Sequence, residues 1–273
     1  MRRNFKMLHT KNGISYFSIP LFDETKLVKS CFTTRIGGVS EYPYHSLNLG
    51  LKTMDKKENV LQNFRLLSKE LAIPLECMVR CDQVHGDRSW IVTQEDAGKG
   101  IISDDDVPQA DALITNVRGI GLITNYADCV PIFLLDPVHK VIALAHAGWR
   151  GTVLQIGRKT LQAMTQHFHT DPKHCLAAIG PSIGPCCYEV DESVIEQFEK
   201  SFRSIHLFVN RTENGKFMLD LWKANQVVLE ESGILKENIS ISQLCTACHP
   251  EIFFSHRQQK GVTGRMAAMM VLV

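Results

Sequence analysis

The sequence predicts a single mixed α/β domain, and three observations carry that prediction. Four short β-favouring runs, DALIT, GIGLIT, PIFLL and KVIALAH, follow one another from Asp111 to His146, punctuated by Gly, Pro and Asp. Apolar residues at helical spacing flank this stretch on both sides. No Pro/Ser-rich linker divides the 273 residues, and a 44% hydrophobic content lets them bury one substantial core without disulfides.

Taken in order, CFTTRIGGVSEYPYHSLNLG (31–50) begins apolar and then collects Gly, Ser, Pro and Asn, the pattern of a strand entering a long loop with Arg35 at its base. Between Asp55 and Ala72, Val60, Phe64, Leu67 and Leu71 predict an amphipathic helix. The four β-favouring runs form the sheet core, and helical spacing returns at Val153, Gly157, Leu161, Met164 and Phe168. LAAIG and ISISQL read as strands. ESVIEQFEKSF and DLWKANQVVLEESG read as helices, the second with Asp220 as N-cap and Gly233 as stop. The acidic SDDDV run at 103–107 reads as a solvated loop, and no repeat of fixed period is present.

Composition narrows function. Thirty basic against twenty-nine acidic residues leave a formal charge of +1, which lacks the electrostatic footprint of nucleic-acid binding and favours a small-molecule substrate. No signal-peptide-like or membrane-spanning apolar stretch occurs, so the expectation is a cytoplasmic protein without membrane contact, simplest as a monomer. Nine cysteines at irregular spacing fit reduced thiols and turn attention to metal binding or nucleophilic chemistry.

QVHGD, YADCVP and AHAGWRGT each place a His or Cys at the edge of an apolar run, supported by the core yet able to face a cleft. A thiolate and two imidazoles suit zinc and leave a fourth position open. Their spacing matches no compact zinc finger, so a buried Cys with two hydrogen-bonded histidines is the competing reading. Asp128, Asp111 and Asp87 are acid/base candidates that could equally orient a ligand or cap a turn, with Asp128 ranked first. Arg35, Arg150, Arg257 and Arg265 stand beside glycine or small polar residues where a loop can approach an anion; surface salt bridges are the alternative. GPSIGPCCYEV forms a turn that could wall a cleft, with Cys187 the better substrate contact of its two thiols. The CTACH segment (245–249) is a lone CxxC without a second ligand pair and reads as structural or redox-sensitive.

The blocks DQVHG, ADALITN, NYADCVPIFLLDP, ALAHAGWRGT, AAIGPSIGPCCYEV and FFSHRQQKGVTGRMA, in that order from about Arg35 to Met266, resemble the laccase-domain (YfiH-like) family. The resemblance implies one domain of mixed sheets sandwiched by helices, spanning 1–273. It also implies a transition metal, usually zinc, on His85, Cys129 and His146. The activities it implies are phosphorolysis of adenosine, inosine, guanosine and methylthioadenosine, and hydrolytic deamination of adenosine. The expected site adds Gln83, Asp111, Arg35, Arg150, Cys187, Arg257 and Arg265 as substrate contacts, with Cys129, Asp128 and His146 in catalysis. Where relatives often carry another Arg and an Asp after SHR, this chain has Gln258 and Gln259.

Three other readings stay open. The family's polyphenol-oxidase label would put copper at the site, but paired His-X-His ligands occur only as His167 and His169, in a polar helix end. A metal-free thiol hydrolase would use Cys129 as nucleophile, His146 as base and Asp128 to orient it. A non-catalytic metallo-module would need a partner-binding stripe that the sequence lacks.

Overall fold

The computed structural model describes residues 5–273 apart from Lys11. Two six-stranded sheets form the centre. The first runs, edge to edge, through Lys6–His9, Ser15–Ser18, Val28–Thr33, Met266–Leu272, Gly121–Tyr126 and Met78–Arg80, antiparallel except at the last pair. The second runs through Ile239–Ile241, Leu176–Ile179, Val130–Asp136, Val141–Ala147, Ala112–Thr115 and Ser89–Ile91, parallel only at its two edges. A small sheet of Glu189–Val190, Phe217–Leu219 and Val209–Arg211 lies to one side.

Alternation along the strands builds the layers. Leu113, Ile142 and Leu144 turn inward with Phe133 to meet Phe32, Leu122 and Met270 of the first sheet, making a core between the sheets. Their neighbours Ala112, Ile114, Ala143 and Ala145 turn outward under Ile156, Leu161, Phe198 and Leu229 from helices Ile156–Phe168, Glu192–Ser201 and Leu221–Glu231. On the far side, Ile123, Ala267 and Met269 are covered by Val60, Phe64 and Leu67 of helix Lys57–Leu71. The order of layers is helix, sheet, sheet, helix, so the expected mixed sheets sandwiched by helices are present. Because each sheet is buried on both faces, the strands read as continuous apolar runs.

The helices follow their signals closely. Asp220 caps its helix by accepting from the Lys223 backbone N–H, and Gly233 at φ +101° follows the helix end. The helical spacing begun at Val153 is in fact split: a short Trp149–Val153 helix ends before Gln155, whose left-handed φ of 57° redirects the chain into Ile156–Phe168. The Met266–Leu272 strand, central to the first sheet, carries no strand pattern in the sequence. Among the described residues no helix is long and apolar enough to cross a membrane.

Candidate active site

Neighbouring strand ends bring the three singled-out segments together. Cys129 immediately precedes Val130–Asp136, and His146 is the penultimate residue of Val141–Ala147, paired in register with Pro131. His85 arrives on the loop after Asp82, with its own backbone in the left-handed region at φ 61°; Asp128, beside Cys129, sits there too at 83°. One ligand atom from each of His85, Cys129 and His146 lies within 4.8 Å of the others. Gly148 permits this closeness, since a Cβ there would come within 3.0 Å of the Cys129 Sγ and 3.2 Å of the His85 ring.

Asp111 organises the cluster. Fully buried, it accepts from the backbone N–H groups of Val84 (3.2 Å), His85 (3.0 Å) and Gly86 (2.6 Å), and its Oδ1 meets His146 Nδ1 at 2.8 Å. One carboxylate thus fixes both the loop that carries His85 and the ring of His146, leaving the second His146 nitrogen for Cys129. Burial pushes the Asp111 carboxyl up, but His146 and the Gly86 and Val84 N–H groups outweigh it and hold the pKa below the usual carboxylate value. Burial likewise raises the Cys129 thiol, yet the His146 and His85 rings beside it bring it down to about 6. His146, lowered by burial, is lifted by Cys129 and Asp111 to about 9. A thiolate facing imidazole nitrogens is a donor set suited to a borderline-soft cation such as zinc, and the residues present fit that ion.

The cluster forms one wall of a cleft of about 500 Å³. Gln83, Asp128, Arg150, Arg257 and Arg265, all singled out in the sequence, line it. Gln83 exchanges hydrogen bonds with the Asn125 backbone, while the guanidinium of Arg150 stacks on Trp149 at 4.5 Å with its charge open to the cleft. Arg257 lies over the Tyr188 ring at 5.2 Å and donates to the Cys187 and Glu189 carbonyls; Arg265 donates to those of Thr263 and Gly264. The sequence reading missed Lys52, Arg80, Asn125, Tyr188 and His256, which also line the cleft. Tyr188 and His256 were next to residues already singled out. Lys52 and Arg80 carried no local signal.

Other singled-out residues are placed differently. Asp128 does not touch His146: its oxygens accept from Thr246 Oγ1, Ser255 Oγ and the Arg257 N–H, so it ties the 246–257 loop to the cluster. Arg35 stands outside the cleft lining, donating to the His45 and Pro250 carbonyls and stacking on Phe254. Cys187 also lies outside the lining, beside Cys248. Asp87 pairs with Lys159 away from the cluster.

A family model described as multi-copper polyphenol oxidoreductase laccase matches residues 29–273. A Bacillus subtilis (strain 168) protein named purine nucleoside phosphorylase YlmD is 40% identical over 246 residues, 90% of this chain and 88% of its own. The crystal structure of YlmD from Geobacillus stearothermophilus matches with a TM-score of 0.92 at 37% identity, covering 97% of this chain and 98% of that one. Bacillus licheniformis YfiH gives 0.91 at 35%, covering 94% and 96%. With a family model spanning nearly the whole chain and the same fold in both solved structures, this protein belongs to the laccase-domain, YfiH-like family.

Proposed function

We propose that the chain is a zinc-dependent purine nucleoside phosphorylase whose metal is held by His85, Cys129 and His146. The observation that carries this is the His-Cys-His cluster on the wall of a cleft rich in cationic side chains, in a chain similar over 90% of its length to a protein named purine nucleoside phosphorylase. When bound, zinc supplies a Lewis acid with a position left open for a substrate or water oxygen.

Phosphorolysis forms a bond between a phosphate oxygen and C1′ of the ribose and breaks the bond from C1′ to the base, whose electron pair leaves with the base and is neutralised by a proton. The chain's own contribution is to hold the anion and orient the sugar. Arg150 and Arg265 are suited to the phosphate, because a guanidinium offers paired donors to oxyanions. The Tyr188 ring, backed by Arg257, offers an apolar face for the purine or ribose. Asp111 acts through His146 as a positioning residue. The substrates proposed are adenosine, inosine, guanosine and methylthioadenosine, with hydrolytic deamination of adenosine as a second reaction in the same cleft, in which water adds at C6 and ammonia departs.

A metal-free reading has one observation in its favour: His146 stands between Cys129 and Asp111, whose Oδ1 meets its Nδ1 at 2.8 Å, an order suited to a nucleophile, a base and an orienting carboxylate. Metal-quantified protein, prepared without an affinity tag, is incubated with adenosine with and without phosphate, and adenine, inosine and ribose 1-phosphate are separated by chromatography. The expected result is zinc in the protein, phosphate-dependent adenine with ribose 1-phosphate, and loss of both products in Cys129→Ala. A copper-loaded protein inert toward nucleosides would favour the oxidase label, and a metal-free protein alkylated at Cys129 the thiol hydrolase.

A further inference from the structure

A second group of ligands lies outside the cluster described above. The sulfur atoms of Cys186, Cys187, Cys245 and Cys248 all fall within 4.8 Å of one another. Cys186 and Cys187 both approach Cys248 at 3.4 Å. The CxxC of CTACH, which lacks a partner pair in its own stretch of sequence, meets the adjacent cysteines of GPCCYEV in space. We propose that these four thiols form a structural zinc site, distinct from the His-Cys-His site.

The geometry favours a cation over a disulfide. At 3.4 Å the sulfurs are well beyond the ~2.05 Å of a covalent bond. Four thiolates at about 2.3 Å from a tetrahedral zinc stand roughly 3.8 Å apart, close to the spacing seen. The innermost of the four sulfurs has a donor suited to a thiolate. The backbone N–H of Gly184 points at the Cys245 sulfur from 3.2 Å, a donor that stabilises charge on a ligand sulfur. The two loops run parallel, bridged at Ser182 and Cys245, with Ser182 N–H donating to the Leu244 carbonyl and Thr246 N–H to that of Ser182. Trp222 locks the first loop by donating to Ser182 Oγ at 2.6 Å, and its ring packs so close to Gly184 that a Cβ there would come within 2.7 Å.

Four thiols binding one zinc ion release four protons and leave a dianionic centre; no electrons move and no oxidant is needed. Soft four-sulfur ligation selects zinc over hard cations. Cys186 and Cys248 are exposed, so the ion can enter from solvent, while buried Cys245 anchors the inner side. The site would clamp the loop that carries Ile183 and Tyr188 to the loop that leads to His256 and Arg257, and all four residues line the cleft. The second metal thus fixes one wall of the first metal's cleft without touching substrate.

The test is metal stoichiometry in untagged protein purified under reducing conditions. Wild type should carry two zinc ions per chain, and Cys129→Ala should keep one. Adding Cys186→Ser and Cys248→Ser to Cys129→Ala should remove the last. Cys129→Ala loaded with cobalt alone should show the intense sulfur-to-metal charge-transfer absorption of a four-thiolate centre. That reading holds even if the triple variant does not fold. A Cys129→Ala protein without zinc and without that absorption would overturn the proposal, as would recovery of any of the four cysteines as a disulfide in the freshly purified reduced protein. Because the retained ion is read in a variant lacking an active-site ligand, this outcome is independent of whether nucleosides are substrates.

Discussion

Asp111 has no atom facing solvent and engages four donors, three of them consecutive backbone N–H groups and the fourth an imidazole. Removing its charge while keeping its shape therefore loosens the His85 loop and the His146 ring together. Asp111→Asn should weaken zinc binding at the His-Cys-His site by about 10–100-fold, read by competition against a chromophoric chelator. An unchanged affinity would show that the carboxylate supports the loop fold alone. The sequence ranked Asp128 above Asp111 because Asp128 adjoins Cys129. The left-handed turn at Asp128 sends its carboxylate toward Thr246 and Ser255, residues remote in sequence, so it is Asp111 that orients His146. Two of the candidate ligands were legible because Cys129 precedes and His146 nearly ends an apolar strand, whereas His85 stands on a loop. The orienting carboxylate was not, because it depends on a pairing between strands that no local pattern encodes.

The Val130–Asp136 and Val141–Ala147 strands form an antiparallel pair that carries two of the three candidate ligands at one end and a tight turn at the other. Asp136 closes that turn, fully buried. Its Oδ1 accepts from the Val138 and His139 N–H groups at 2.8 and 3.1 Å, and Oδ2 meets His139 Nδ1 at 2.9 Å. Burial raises its carboxyl, and the hydrogen bonds outweigh that and depress it below the ordinary value. A depressed folded-state pKa stabilises the fold above the unfolded value of ~3.9, and this contribution is lost as pH falls through the folded value. Asp136→Asn should therefore cost roughly 1–3 kcal/mol at neutral pH, with the gap to wild type closing below about pH 4 in urea titrations. A gap constant with pH would assign the loss to packing. Within the same sheets, KVIALAH was legible as a strand because Val, Ile and Leu dominate it. The Met266–Leu272 strand was not, since Ala and Met carry little β preference and burial on both faces erases alternation.

The whole molecule holds the cleft open between two sheets, so the site is only as ordered as the join between them. Sequence patterning conveyed strands and helices, but the layering came from the family resemblance, because strands buried on both faces show no alternation that would say how one sheet is set against the other. Tyr126 is the clearest tie at the site. It ends a strand of the first sheet, is 1% exposed, and its ring stands 5.4 Å from that of His146. Its hydroxyl shares a hydrogen bond with Thr124 at 2.8 Å and donates to the carbonyl of Ala145, in the second sheet, at 3.3 Å. Tyr126→Phe keeps the ring and deletes this link, leaving a buried carbonyl without that donor, at a cost of about 1–3 kcal/mol in chemical denaturation. The phenol is not a ligand, so zinc content at the His-Cys-His site should stay at the wild-type value. If the metal is lost while stability holds, Tyr126 belongs to the coordination chemistry. If stability falls while the metal stays, the hydroxyl joins the two sheets beneath a site whose candidate ligands come from the second sheet and the adjoining His85 loop.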